Sequence, residues 1–577
     1  MSFSPYKRFR SLPLCDFPEG IETFGKLVYE DGSTFYETEN GSLLLNIIEL
    51  DDVAALSRYL EFNSTRNVLG PKDSPLDDPF WTAAAYGSTG ALQLLLEHWD
   101  AAGYSTRAEI PAPNRRGYGL LQTACESAHV ETVRFLLKAP WQGRYGDIHA
   151  KDPWGLTPIL AAATAFTGLS HPTDRATKVS SANWIKSHLA SVEEVMQLLL
   201  DEGANVQDQI TRLHQLHDTV LSLAICRAGP PLIRRLIEHG ADFNATTTQD
   251  FSEVGSVGLP PSNNSSDVTP LHIGSLYSNI GGLQVLLNYS HGIGSVNMVR
   301  QTDTLGRLPL HFASWGPSDE LCNLDSHSDG YVPRVTATIE TLLEADPSTV
   351  NIQDKNGHTA LHYAVWRHSR YRGRHIAIVR ALCNYGADAG LQGRDGKTPL
   401  HGLGFRFRDS EPVDTCFIDL LLEHNAGVND IDRDGNTALH FAAKNLIHSE
   451  AARHLVSRGA DVSITNHQGN TPLHEAAGGI LFTLRYSGKL KLNPSVEDLE
   501  EAQNEMIGAL LSRLLEENAD RLMNQPNAAN STPRQICQQR RKEWREREES
   551  RREQAAGRGR GRGFIRGSLR GRGAQGG

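Results

Sequence analysis

Apolar residues recur along this 577-residue chain in pairs of short segments, and each pair is followed by a polar turn. In "ALHFAA" from Ala438 and "AARHLV" from Ala451 the apolar positions are three or four residues apart, which is the spacing of one helix face. The sequence "RGAD" follows the second segment, and its glycine suits the end of a helix. The pattern predicts two short antiparallel helices and a turn, used many times.

The most recognisable part of this unit is T-x-L-H-x-A, as in "GNTALHFAAK" from Gly435 and "GNTPLHEAAG" from Gly469. A histidine stands at the same offset in six copies: His272, His311, His362, His401, His440 and His474. Four of the five intervals between them are 34 to 39 residues and the other is 51, which indicates a repeat with insertions. A D-x-x-G turn, such as "DRDG" at Asp432, opens the next unit.

Each position of the unit has a physical role. Threonine can cap the first helix, and proline suits the first turn, where no amide donor is needed. Paired alanines such as Ala442 and Ala443 allow neighbouring helices to approach closely. Glycines are expected with positive φ in two places, the turns and the ends of the second helices: Gly357, Gly435, Gly469, Gly240, Gly386 and Gly459.

These residues resemble the ankyrin repeat over roughly residues 40 to 539. The resemblance implies an all-α repeat solenoid of stacked helix-turn-helix units joined by β-turn fingers. In that family the histidine is a structural residue that ties its helix to the neighbouring turn. We therefore expect the six histidines to be structural, with no catalytic residue, no metal ligand and no cofactor site.

Weaker copies extend the array to eleven units. Their histidine positions hold Leu45, Thr82, Thr123, Leu160 and Ser222. The half-unit "STPRQICQ" from Ser531 is expected to cap the end of the array.

The predicted organisation has seven parts. They are an irregular N-terminal segment (1–39), degenerate repeats (40–246), a flexible linker or finger (247–266), well-formed repeats with insertions (267–522), a capping half-repeat (523–539), a charged helix (540–554) and a disordered RG-rich tail (555–577). Insertions are expected between the two helices of a unit near 164–191, 316–333 and 479–505. Such loops either form a specific surface or reflect neutral drift, and the sequence does not decide between them.

Charge is distributed unevenly. From Arg540 to the end there are 13 basic and 5 acidic residues, which leaves a net charge of −19 on residues 1–539. Glu543 with Arg547 and Glu548 with Arg552 have the i,i+4 spacing of ion pairs on a solvated helix. The last segment has glycine throughout and six arginines, Arg558, Arg560, Arg562, Arg566, Arg570 and Arg572. It resembles RG tracts that bind RNA or are methylated, although a solubility or nuclear-import role fits as well.

These features favour a non-enzymatic intracellular scaffold or adaptor that binds protein partners on the concave face of the repeats. An RNA- or ribonucleoprotein-associated factor that uses the tail is the alternative. Widely spaced cysteines, no secretory signal and no long apolar stretch predict a cytoplasmic or nuclear protein without a membrane or small-molecule partner. No nucleotide-binding, kinase or zinc-acyltransferase motif occurs, so we expect no enzyme activity.

Overall fold

Short helices form wherever the apolar pairs occur. The computed structural model describes residues 23–28, 34–38, 43–62, 78–101, 119–138, 140–152, 155–167, 182–212, 216–250, 264–289, 294–316, 330–368, 375–404, 412–481, 485–486, 489–490 and 494–567. These residues fall into two compact units, an N-terminal unit that ends at Met298 and a C-terminal unit that begins at Val299. No helix among them is both long enough and apolar enough to cross a membrane.

The N-terminal unit contains six helix pairs, which we number repeats 1 to 6. The pairs are α1 Leu43–Glu49 with α2 Val53–Phe62, α3 Pro79–Tyr86 with α4 Thr89–Ala101, α5 Leu120–Glu126 with α6 Val130–Leu136, α7 Pro158–Thr164 with α8 Ala182–Asp201, α9 Val220–Ala224 with α10 Pro230–Glu238, and α11 Pro270–Leu276 with α12 Ile280–Tyr289. A short helix, α13 Ser295–Val299, follows them.

The C-terminal unit continues with repeats 7 to 11. They are α14 Pro309–Trp315 with α15 Tyr331–Ala345, α16 Ala360–His368 with α17 Ile376–Asn384, a 3₁₀ helix Pro399–Gly404 with α18 Thr415–Glu423, α19 Ala438–Lys444 with α20 Ser449–Ser457, and α21 Pro472–Ala477 with α22 Val496–Leu511. After them come α23 Glu516–Met523 and α24 Pro533–Gly567. Leu439, Ala443 and Leu455 of repeat 10 are fully buried, so the core runs between the helices of successive repeats.

In the N-terminal unit, strands form in segments for which the sequence predicts irregular structure. Residues 1–39 were expected to be irregular, but β1 Thr23–Val28 and β2 Thr34–Thr38 form an antiparallel hairpin. Their content of threonine, phenylalanine, tyrosine and valine favours a strand. The turns before repeats 5 and 6 extend into β3 Gln209–Arg212, β4 Leu216–Thr219, β5 Thr247–Asp250 and β6 Asn264–Val268, which form one antiparallel four-stranded sheet.

The segment predicted as a linker at 247–266 therefore differs from expectation. Its described ends are paired strands, and Thr247 Oγ1 donates to the Val268 carbonyl at 3.0 Å. The division between the two units lies at Met298 instead. Residues 251–263 lie outside the described residues.

Helices also enter two of the predicted insertions. The second helix of repeat 4 begins at Ala182, within 164–191, and that of repeat 11 begins at Val496, within 479–505. The latter insertion also contains a small hairpin, β7 Arg485–Tyr486 with β8 Lys489–Leu490. The central part of the insertion near 316–333 lies outside the described residues.

At the C-terminus, the predicted boundaries at 539 and 554 do not appear as breaks, because α24 is continuous from Pro533 to Gly567. An established helix extends without a new nucleation cost, although each glycine costs about 1 kcal/mol relative to alanine. The predicted disordered tail therefore begins, in the structure, as helix through residue 567, and residues 568–577 lie outside the described residues.

Candidate functional site

The turn before each repeat of the C-terminal unit except repeat 9 is built on one buried Asp or Asn side chain. In repeat 10 the Asp432 carboxylate accepts hydrogen bonds from the backbone N–H of Asp434 at 2.9 Å and of Asn436 at 2.8 Å. Gly435 has φ near 80°, and a Cβ there would lie 3.0 Å from the Cα of Asn466 in the next turn. Glycine is thus required both by the left-handed backbone and by the close approach of the next repeat.

In repeats 7 to 10 the histidine connects the first helix to that repeat's own start and to the next turn. In repeat 10 the His440 Nδ1 accepts from the Thr437 backbone N–H at 3.0 Å and lies 2.9 Å from the Thr437 hydroxyl. Because Nδ1 is an acceptor, the proton is on Nε2, which donates to the Asn470 carbonyl at 3.0 Å. One imidazole therefore satisfies the helix N-terminus and links two repeats.

The same bond between neighbouring repeats recurs through the C-terminal unit. The Nε2 atoms of His311, His362 and His401 lie 3.1 Å from the carbonyls of His358, Lys397 and Asn436, respectively. His474 keeps its contact with Thr471 at 3.1 Å, but its Nε2 has no hydrogen-bond partner in the described part of the chain. In repeat 6 of the N-terminal unit, His272 Nδ1 accepts from Thr269 at 3.2 Å.

Burial keeps these imidazoles neutral. Desolvation lowers the pKa of His362 to about 3, and lowers the pKa of His311, His401, His440 and His474 below its ordinary value. A second proton would also remove the Nδ1 lone pair that accepts from the backbone. In this geometry the imidazoles bond to the repeats themselves, and the structural role expected of the six histidines stays a prediction.

The histidines do not converge on one place, since each stands in its own repeat. Among the described residues, no group of three or more His, Cys, Asp or Glu side chains is placed to hold a metal ion.

A second set of contacts between repeats, which the sequence analysis missed, joins the turns themselves. The backbone N–H at the second turn position donates to a carbonyl of the preceding turn: Lys355 to Leu305 at 2.9 Å, Arg394 to Asn356 at 2.7 Å, Arg433 to Asp395 at 2.9 Å, His467 to Asp434 at 2.8 Å and Ala528 to Gln468 at 3.0 Å. We call this series the finger ladder. Because its donors are backbone N–H groups, the finger ladder cannot be predicted from the residue types in the sequence.

Repeat 9 departs from the pattern in a way that the sequence also did not reveal. Gly393 stands where the other turns have Asp or Asn, and the His358 ring of repeat 8 occupies the space that is left. A Cβ on Gly393 would lie 2.8 Å from His358 Cδ2. The ring lies 3.9 Å from the Asp354 carboxylate and 4.0 Å from that of Asp395, and neither ring nitrogen has a hydrogen-bond partner among the described residues. Desolvation lowers its pKa.

The array ends on the half-repeat predicted from Ser531. The Asn527 side chain accepts from the backbone N–H of Ser531 at 3.0 Å, which copies the turn of repeat 10. Gln535 takes the histidine position, and its side-chain oxygen accepts from the Thr532 N–H at 3.0 Å. An amide oxygen therefore replaces the imidazole at the end of the array.

The charged segment 540–554 is helical and most of its described residues are exposed, as its sequence favours, but one face packs on α22. Trp544 is buried, Arg541 donates to the fully buried Gln503 of α22 at 2.7 Å, and Arg545 pairs with Glu500 at 2.6 Å. Arg552 pairs with Glu548 at 2.6 Å as expected.

Glu543 contacts Arg540 at 3.1 Å, whereas its predicted partner was Arg547. The helix departs from the prediction only on the face that carries Trp544 and Arg541, which packs on α22.

Four of the six tail arginines lie in a helix, and the other two lie outside the described residues. Arg558, Arg560, Arg562 and Arg566 lie in α24, and Arg570 and Arg572 lie outside the described residues. Their roles stay predictions.

Comparison with known proteins agrees with the repeat geometry. Residues 408–486 match a model of ankyrin repeats in three copies, and residues 356–394 match the single ankyrin repeat. The chain is similar to inversin from Canis lupus familiaris, with 25% identity over 246 residues, which is 41% of this chain and 18% of inversin. It is also similar to the nuclear factor NF-kappa-B p105 subunit from Gallus gallus, with 31% identity over 109 residues, or 19% and 10% of the two chains.

This chain therefore spans less than a fifth of either relative. Among solved structures, the ankyrin repeat domain of Bcl-3 aligns with 44% of this chain and 92% of its own length, at 22% identity and a TM-score of 0.29. The matched residues include His362 and His440, which have the Thr–His–carbonyl geometry. Outside them, His311 of repeat 7 accepts from the Leu308 N–H and reaches the His358 carbonyl in the same way. The chain therefore contains ankyrin repeats, matched over residues 356–394 and 408–486.

Proposed function

We propose that the chain is a non-enzymatic intracellular scaffold or adaptor that binds protein partners on the concave face formed by its first helices and turns. The observation that carries this proposal is the finger ladder. It fixes successive turns to one another through backbone bonds of 2.7–3.0 Å and leaves side chains such as Arg394 and Arg433 exposed. A rigid row of exposed side chains loses little conformational entropy on binding.

The chemistry of the buried groups supports binding more than catalysis. The imidazoles of repeats 7 to 10 are committed to hydrogen bonds within and between repeats. They are also held neutral and buried, so they are poorly placed to exchange protons with a substrate. The name of the chicken relative describes a subunit of a nuclear factor, which agrees with a nuclear or cytoplasmic binding protein.

Affinity purification of the full chain tests this function. We expect protein partners that are captured by the full chain and by a chain ending at Ala556, and that are lost when the repeats are unfolded by core variants such as Leu439→Asp. If specific protein partners are absent, or are captured equally by the unfolded variant, the adaptor function is wrong.

The alternative function is RNA binding through the C-terminal arginines, favoured by one observation. Six arginines follow Gly557 without a carboxylate, while residues 1–539 have a net charge of −19. If all six neutralise phosphates of single-stranded RNA, log affinity should fall against log salt with a slope near −4, at about −0.7 per contact. Fewer simultaneous contacts give a shallower slope.

A salt titration of RNA binding by the full chain and by the chain ending at Ala556 tests this alternative. We expect truncation to remove most of the affinity and to flatten the slope. Unchanged affinity and slope after truncation would contradict a role of the tail in RNA binding.

A further inference from the structure

A row of basic side chains lies on the finger ladder. The second turn position holds Lys355, Arg394 and Arg433 in repeats 8, 9 and 10, and all three are exposed. His467 follows at the same position in repeat 11. We call Lys355, Arg394 and Arg433 the basic finger row.

The row has a fixed spacing because the ladder bonds involve the backbone of these same residues. Each of the three donates its N–H to the preceding turn at 2.7–2.9 Å, so each side chain starts from an equivalent place in its repeat. Neighbouring helix pairs pack about 8–10 Å apart, which sets the distance between successive basic groups.

The two arginines are available for a partner. In the part of the chain that the structure describes, neither Arg394 nor Arg433 forms an ion pair or a side-chain hydrogen bond. The nearby Asp395 carboxylate is already held by Lys397 Nζ at 2.7 Å. Asp434, the residue after Arg433, is exposed and adds one negative charge beside the row. Lys355 Nζ donates once, to the Thr304 carbonyl at 2.7 Å, and keeps two further donors.

We propose that the basic finger row docks an acidic helix of a protein partner, one that carries Asp or Glu at seven-residue intervals. Seven helical residues rise about 10.5 Å, which is close to the spacing of the row. Arginine pairs with carboxylates through two parallel hydrogen bonds, which favours a carboxylate partner over a neutral one. This inference rests on the proposed function, since it names the chemistry of the partner.

A helix fits this surface better than an extended peptide or a nucleic acid. The ladder already uses the backbone donors of the turn tips, so a partner strand would find few backbone hydrogen bonds there. A helix satisfies its own backbone. Nucleic acid places charges about 3.4 Å apart along each strand, much closer than the spacing of the row.

The test uses the full chain and two synthetic peptides. Each peptide is an alanine-rich helix of three heptads with three glutamates. In one the glutamates occupy the same position of every heptad, and in the other they are spread around the helix. We expect fluorescence anisotropy to show that the aligned peptide binds at least about fivefold more tightly than the spread one, and that added salt weakens it.

Charge reversal of the row should weaken aligned-peptide binding at least about tenfold in the variant K355E/R394E/R433E. The matched control R380E/R453E/R513E makes the same charge change at exposed residues outside the turns, and should bind within about twofold of the unaltered chain. R394Q/R433Q tests the two arginines without altering the Lys355 bond to Thr304, and should weaken binding about fivefold. Equal binding of both peptides, or unchanged binding by all row variants, would overturn the proposal.

Captured partners separate this inference from the adaptor function. If the unaltered chain captures partners and K355E/R394E/R433E captures them equally well, the basic finger row does not dock the partner, and the adaptor function stands. If a single-stranded RNA oligonucleotide binds the full chain and loses binding in the row variant but not in the control, the row binds nucleic acid, and the assignment to a protein helix is wrong.

Discussion

The two units of the chain have the same helix-pair core but join their repeats differently. In the C-terminal unit, histidine bonds and the finger ladder place the contacts between repeats in the turns. In the N-terminal unit, many described contacts lie at the loops between the paired helices. His129 Nε2 lies 2.8 Å from the Ala85 carbonyl, and Asn279 Nδ2 donates to the carbonyls of Ile225 and Ala228 at 2.9 Å each.

The second helices of the N-terminal unit and the turn after α6 add surface ion pairs to those loop contacts. Arg134 pairs with Glu194 at 3.0 Å and Arg144 with Asp100 at 2.9 Å. Exposed pairs of this kind contribute little, about 0–1 kcal/mol each. The difference teaches that apolar helix pairs suffice to build the array, whereas the turns decide how strongly neighbouring repeats are coupled and which side chains stand in a regular row.

The largest expected difference between the units is their response to acid. Burial lowers the pKa of several histidines of the C-terminal unit, to about 3 for His362 and to about 4 for His448, whereas repeats 1 to 5 of the N-terminal unit have no histidine at the repeat position. Above pH 6.5 the folded and unfolded forms are both neutral at these groups and stability is fully present. As pH falls below 6.5 the unfolded chain takes up protons first, so stability is lost towards the folded pKa.

At pH 5 the loss should reach about 2 kcal/mol for each of His362 and His448, when the segment that unfolds contains it. Hydrogen exchange resolved by peptide at pH 7.5 and pH 5, corrected for intrinsic rates, measures this. The C-terminal unit should lose protection and the N-terminal unit should lose much less. Equal losses in both units would contradict the comparison.

Removal of one histidine should have the next largest effect. His440→Ala leaves the Thr437 N–H and the Asn470 carbonyl without partners, so the free energy of unfolding should fall by about 1–3 kcal/mol. Ser222 stands at the same position in repeat 5, and its described side-chain hydrogen bonds lie within its own repeat, with the Thr219 N–H donating to it at 2.8 Å.

Ser222→Ala, the matched change in the N-terminal unit, should cost about 1 kcal/mol, as for a lost cap, and should leave neighbouring repeats unaffected. Denaturant unfolding together with exchange of repeats 9 and 11 measures both variants. Metal analysis of the purified protein is the control. Stoichiometric zinc that is lost in His440→Ala would contradict the structural role.

A smaller effect is expected where repeats 8 and 9 meet. Gly393→Asp restores the usual turn residue, but its side chain meets the His358 ring and should cost about 1–2 kcal/mol. His358→Asn introduces the residue found at Asn436 and Asn470 and removes the ring. In a double-mutant cycle, the variant with both substitutions should have a higher free energy of unfolding than the sum of the two single changes predicts. Additive effects would show that His358 and Gly393 are not complementary.

Much of this fold could be predicted from the sequence, because the helix pairs, the histidine register and the glycines of the turns repeat visibly. Gly357, Gly435 and Gly469 have φ values of 79°, 80° and 72°, and Gly240, Gly386 and Gly459 also have positive φ, which confirms that prediction. The strands before repeats 5 and 6 could not be predicted, since their polar sequences resemble loops and gain their stability from pairing with one another.

The features most relevant to binding were the hardest to predict. The finger ladder consists of backbone bonds, and the fit of His358 to Gly393 joins two residues 35 positions apart that look like unrelated departures from the repeat. The packing of Trp544 and Arg541 on α22 was hidden by a charge pattern typical of a solvated helix.

The central claim is that the turns of the C-terminal unit form one coupled ladder. Amide exchange of Arg394, Arg433 and His467, measured by NMR in the full chain, tests it most directly, because each of these N–H groups donates to the preceding turn. The account predicts slow exchange at all three, and faster exchange at Arg433 when Asp395 and its turn are loosened by Gly396→Val, whose Cβ would lie 2.8 Å from the Arg433 nitrogen. Exchange as fast as in exposed loops, or no response of Arg433 to Gly396→Val, would contradict it.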